Sequence, residues 1–206
     1  MMIQRGHRLF FAFCLFCGFL LFLFVWLFEN IYITASGMEP AVSPGDYLLV
    51  LSPGGQQFVP AVRELCDIST LRRNDLIYVR TPDEDRRRVI LRVVGCAGDE
   101  VMIVDKTLFV DGIPQDESYV TFDDPEIYPR DLSVRDNFGP IVVPDGAVFA
   151  LADRRDIMGD GRFFGFIRDE HLRGRVLLCY WSRDPNGRLY PVRWERLGNS
   201  FNGKIH

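Results

Sequence analysis

From Leu9 to Phe28 the chain runs for twenty residues without a charge, and no other stretch so narrows what it can fold into. As an α-helix rising about 1.5 Å per residue, this segment matches the roughly 30 Å hydrocarbon layer of a bilayer. Arg5 and Arg8 precede it and Glu29 follows. The positive-inside tendency then predicts a single-pass protein of an inner or cytoplasmic membrane, with residues 1–8 in the cytoplasm and the rest on the outer face. A cleaved signal peptide competes with this reading, but its apolar region runs only about 7 to 15 residues and ends at a small-x-small site. Thr34-Ala35-Ser36 is a weak match to such a site. The expectation is an uncleaved anchor that touches lipid through Leu9 to Phe28.

Residues 29–200 suffice for one well-buried exported domain, followed by a polar tail at 201–206. The net charge of −4 and the absence of a basic run exclude a nucleic-acid surface. Lys106 and Lys204 are the only lysines in the 206 residues, and arginine supplies the other basic side chains. Cys66, Cys96 and Cys179 lie beyond the anchor and give no disulfide framework. His and Cys do not cluster at metal-ligand spacing, so neither a metal nor a cofactor is expected.

Short apolar runs at Tyr47–Leu51, Asp75–Arg80, Val89–Val94, Val101–Val104, Ala147–Ala152, Val176–Ser182 and Leu189–Trp194 read as strands. Asp111-Gly112 between apolar runs predicts a two-residue type I′ hairpin. Asp83 to Arg88 reads as a solvated hairpin tip. Arg63 to Thr70 reads as a helical turn or loop, and Gln115 to Pro144 as the loop-rich part of an inserted lobe spanning about 105–145. Helical patterning outside the anchor is nearly absent, so the fold class is mainly β.

Three blocks carry a resemblance: Ser36 to Asp46, Val89 to Val101, and Asp153 to Gly165. With the anchor just before the first, they resemble the type I signal peptidases, including the mitochondrial inner-membrane enzymes. The resemblance implies a signal-peptidase-like β fold and a membrane-bound serine endopeptidase of the Ser-Lys type acting on signal peptides. The family's first box is Ser-Met-x-Pro with Gly-Asp five residues after the proline, and Met38, Pro40, Gly45 and Asp46 hold that spacing. The nucleophile slot is then Gly37, with Ser36 one residue early. The second box, roughly I-K-R-V-V-G-x-x-G-D, keeps Arg92, Gly95, Gly98 and Asp99, while the base slot holds Leu91. The third, roughly G-D-N-R-x-x-S-x-D-S-R-x-x-G, keeps Asp153, Arg155, Asp160, Arg162 and Gly165 as structural ion pairs and a turn, but Met158 fills the slot of the serine that orients the base.

A general base in that mechanism is a lysine made neutral by burial and within reach of the serine hydroxyl. Leu91 keeps the volume and removes the nitrogen. The three losses follow mechanism, so the expectation is a catalytically degenerate member: a non-catalytic subunit or partner of an active signal peptidase, in contact with preprotein signal peptides. Two alternatives stand beside it. One is an active peptidase using Ser36 and a base from elsewhere; the other is a membrane-tethered assembly domain without peptide binding. Lys106, Lys204 and His171, the last read as a surface residue, offer Ser36 no evident base.

Overall fold

The structure, a computed structural model, describes residues 2–51, 67–156, 159–184 and 192–201, with side chains assigned there except at 2–9, 23–24 and 26. Helix α1 (Met2–Leu27) covers most of the uncharged segment. Its described side chains from Phe10 to Phe22 are exposed. Among the described residues no helix is long and apolar enough to cross a membrane. Phe28, expected as the end of the anchor, is instead the first residue of β1 (Phe28–Tyr32), where it pairs with Leu51.

The domain is built from antiparallel strands, and the fold is mainly β. β2 (Asp46–Leu51), β3 (Leu76–Arg80), β4 (Arg88–Gly95), β9 (Ala147–Leu151), β10 (Ile167–Arg168) and β11 (Leu172–Ser182) join β1 in a seven-stranded sheet ordered β1-β2-β11-β3-β4-β9-β10. The lobe is a second sheet. β5 (Glu100–Val104), β6 (Thr107–Val110), β7 (Ile113–Pro114) and β8 (Phe138–Val142) order as β7-β6-β5-β8. β8 corrects the sequence reading, which placed it inside a loop-rich stretch. Asp111 and Gly112 both have positive φ, and Val110 pairs with Ile113 across them, as a type I′ turn requires. Asp105 and Lys106 make a second turn of this kind between β5 and β6.

β9, and β4 from Val89 to Val94 apart from Arg92, read as apolar runs because both of their faces are covered. Leu91, Val93, Val148 and Ala150 enter one core with Leu48, Val50, Ile77 and Val79. Val94, Phe149 and Leu151 enter a second core with Val101, Ile103 and Leu108 from the lobe. The two sheets approach so closely at Gly95 that a Cβ there would lie 2.6 Å from Val101 Cγ2. Helix α2 (Gly161–Phe164) is a single turn. Ile68–Thr70 form a 3₁₀ turn, in line with the helical reading there, while 63–66 lie outside the described residues. The last expected strand fares differently: 189–191 lie outside the described residues, Val192 makes one bridge to Arg183, and Trp194–Arg196 are a 3₁₀ turn.

Candidate functional site

The first box is a loop closed on itself at the exit of β1. Ile33 N–H donates to Asp46 O and Gly45 N–H donates to Ile33 O, each at 2.9 Å, while Val42 N–H donates to Met38 O at 2.7 Å. Met38 is buried in the main core and Pro40 is exposed. Asp46 is fully buried and accepts from Ser43 N–H at 2.9 Å, Ser182 Oγ at 2.6 Å, and the guanidinium groups of Arg193 at 3.1 Å and Arg196 at 2.6 Å. This carboxylate fastens the loop to β11 and to the C-terminal segment.

The second and third boxes are joined in the same way. Arg92 holds Asp153 through two hydrogen bonds, Nε to Oδ1 at 2.8 Å and Nη2 to Oδ2 at 2.5 Å, and lies 4.0 Å over the Tyr119 ring. Asp99 closes the Gly95–Asp99 turn by accepting from Cys96 N–H at 2.6 Å and from Arg73 Nε at 2.9 Å. Gly98 N–H donates to Val143 O at 2.9 Å. Asp160 caps α2, accepting from Arg162 N–H at 3.0 Å, and its carboxylate also pairs with the Arg162 guanidinium at 2.7 Å. Gly165 ends that turn with a φ of 84°. Arg155 is buried and pairs with Glu117, which reaches in from the lobe. Burial, with Glu117 beside it, pushes the Tyr119 hydroxyl well above its ordinary pKa.

In front of this scaffolding lies a groove of about 540 Å³. Its walls are the chain from Ile31 to Met38 on one side and Arg88 to Leu91 of β4 on the other, with Ala152 and Gly159 also lining it. Gly37 and Leu91, assigned to the nucleophile and base slots by the resemblance, are therefore brought into one groove. A Cβ added at Gly37 would meet nothing within 4 Å. Leu91 is 2% exposed and belongs to the main core. Met158 lies outside the described residues. Among the described residues lining the groove there is no Lys, His, Asp or Glu.

One residue that sequence reasoning passed over completes the site. Arg154, at the position the third box gives to asparagine, donates from Nη1 to Ser36 Oγ at 3.0 Å, and its backbone N–H donates to Gly37 O at 3.0 Å. Asp123, first by its hydrogen bond, raises the pKa of Arg154 above the ordinary guanidinium value. The group facing Ser36 is thus a fixed cation that cannot take a proton from the hydroxyl. The change from asparagine to arginine was the signal that could have exposed it. His171, read as a surface residue, has a partly covered side chain whose Nδ1 accepts from Arg168 N–H at 3.2 Å, and it does not line the groove. Lys106 lies in the lobe, within 3.3 Å of Asp156.

β4 pairs with β3 along Arg88–Arg92, but β9 joins it only from Arg92 onward. Among the described residues, the outer edge of Arg88–Leu91 has no strand partner.

This architecture defines a two-sheet β protein with an edge-lined groove at the exit of its first strand. A family model described as "Signal peptidase, peptidase S26" matches residues 6–181, and the chain belongs to that family. It is similar to a probable signal peptidase I-2 of Synechocystis, 28% identical over 153 residues, which cover 74% of this chain and 63% of that relative. It is also similar to signal peptidase I of Bacillus caldolyticus, 27% identical over 184 residues, 86% of this chain and 92% of the relative. A crystal structure of signal peptidase I from Enterococcus faecalis matches 52% of this chain and 96% of its own at 25% identity, with a TM-score of 0.41.

Proposed function

We propose that this chain acts in signal-peptide processing as a non-cleaving partner of an active signal peptidase, holding an extended segment of an exported protein in the groove. The observation that carries this reading is the shared groove of Gly37 and Leu91, whose described lining residues include the Ser36 hydroxyl but no Lys, His, Asp or Glu to activate it. An extended peptide can add to the free edge of Arg88–Leu91 through backbone hydrogen bonds, a mode of recognition that needs no catalytic side chain. The fallback nucleophile Ser36 already accepts a hydrogen bond from Arg154. The proposal includes anchoring through α1 with the domain on the outer face of the membrane. The twenty uncharged residues and the exposed apolar surface from Phe10 to Phe22 support it.

The test uses the full chain in detergent with a preprotein carrying its signal peptide. Saturable binding without cleavage is expected, together with co-purification of an intact peptidase. Replacing Arg154 by Ala, which frees the Ser36 hydroxyl, is expected to produce no cleavage either. Cleavage by the purified chain that is lost on Ser36→Ala would overturn the reading.

A further inference from the structure

We propose that an arginine-lined pocket at the β3–β4 hairpin binds a phosphate group. The pocket, about 290 Å³, lies between the ends of that hairpin and the turn that leads into β11. Arg80, Arg86, His171 and Arg173 line it, and Glu170 is the only carboxylate among its lining residues. That carboxylate is 74% exposed and stands 3.7 Å from His171 Nε2.

The pairing state of these arginines sets them apart. The buried and half-buried arginines behind the main groove have carboxylates: Arg92, Arg155, Arg162, Arg175, Arg193 and Arg196 are each in an ion pair. Among the described residues, Arg80, Arg86 and Arg88 have no side-chain hydrogen bond or ion pair, and the Arg173 guanidinium reaches only Leu172 O at 3.4 Å. Arg80 and Arg88 are moreover direct partners in the β3–β4 ladder. Like charges placed opposite each other destabilise a sheet. The fold therefore brings three guanidinium groups without a carboxylate partner, those of Arg80, Arg86 and Arg173, around one concavity in a protein whose net charge is −4.

Arginine presents a planar fork of N–H donors that matches phosphate oxygens, and a phosphate between Arg80, Arg86 and Arg173 would relieve their mutual repulsion. The group can come from free phosphate or from an anionic lipid headgroup. The lipid source draws on the position of the hairpin, because Arg87 and Arg88 line the main groove together with Ile31 and Tyr32, just beyond α1.

The experiment is calorimetric titration of the full chain in neutral detergent with inorganic phosphate, with short-chain phosphatidylglycerol, and with short-chain phosphatidylcholine. Saturable binding is expected, weakened at least about tenfold in the double variant Arg80→Gln, Arg173→Gln and unchanged in Arg72→Gln. Binding of phosphatidylglycerol over phosphatidylcholine, without inorganic phosphate, assigns the lipid source; binding of inorganic phosphate assigns the free one. If the double variant does not fold, the exposed tip variant Arg86→Gln serves in its place, with a loss of at least about threefold. Absence of saturable binding by any of the three, or equal binding by the arginine variants, overturns the proposal.

Discussion

The back and the front of the groove are built to different standards. Behind it, Asp46, Asp153 and Asp160 are wholly buried and each meets one or two arginines. In front, Gly37 opens onto empty space, Leu91 belongs to the core, and Ser36 is held by a cation. The difference teaches that the motif residues serve two separable tasks. Charged residues of the boxes hold three chain segments together, and removing one strands its buried partner. At Gly37 no side chain holds anything together, so replacement there leaves the scaffold intact, whereas Leu91 serves the core as well.

The comparison is most easily broken at its back. Asp153→Asn leaves the Arg92 guanidinium buried without its counter-charge, and the expected loss is about 3–5 kcal/mol in denaturant unfolding. Asp46→Asn, which unpairs both Arg193 and Arg196, belongs in the same range. A loss below about 1 kcal/mol in either would mean that water or a neighbour substitutes for the carboxylate, and the contrast between back and front would fail.

Leu91→Lys probes the boundary between the two regions. The amine would lie in the main core, where burial disfavours its charged form and lowers its pKa below the ordinary value of about 10.4. Between the lowered folded pKa and about 10.4 the unfolded chain binds more protons than the folded one, so stability rises with pH through that window. The expected loss is about 2–4 kcal/mol at pH 7, recovered as the pH approaches about 10. A loss that did not change with pH would point to steric disruption instead, and the slot would then not be shaped for a neutral amine.

Most of the seven-stranded sheet was legible because β2, β3, β4, β9 and β11 are apolar runs bounded by turn residues. β1 was not, since the apolar run of α1 continues into Phe28 and the pattern does not mark where helix gives way to strand. β8 was hidden by Gly139 and Pro140, which read as loop; it is the edge of its sheet, where a missing N–H is tolerated. Gly37 and Leu91 could be assigned to one site through the resemblance to the signal peptidases, whose boxes fix the register of both positions. Arg154 could not be placed against Ser36, because that contact joins residues 118 apart and depends on how the lobe loop seats the third box.

A smaller effect is expected at Cys96. Burial, with Asp99 beside it, raises the thiol above its ordinary pKa, so the thiolate is scarce at neutral pH. Alkylation of the folded chain at pH 8, compared with Cys96→Ser, should show Cys96 reacting more slowly than it does in the unfolded chain. Equal rates would mean that the Gly95–Asp99 turn opens readily, and that the second box is less firmly held than its Asp99 contacts imply.

The smallest stability change is expected at the front, and it is the sharpest test of the comparison. Gly37→Ser adds a side chain where a Cβ finds open space, at a residue whose φ lies outside the left-handed range. Serine also reduces the freedom of the unfolded chain relative to glycine. The expected change is within about 0.5 kcal/mol in either direction, the range of a substitution that disturbs no packing. A loss above about 2 kcal/mol would show that the open slot is itself a structural requirement, and the separation of tasks would not hold at this position. Combined with Leu91→Lys and Met158→Ser, the same substitution asks whether the groove still presents a peptide to a restored pair: cleavage of a preprotein would mean that only the reactive atoms were lost, whereas a folded, inactive triple variant would mean that the groove has changed around them.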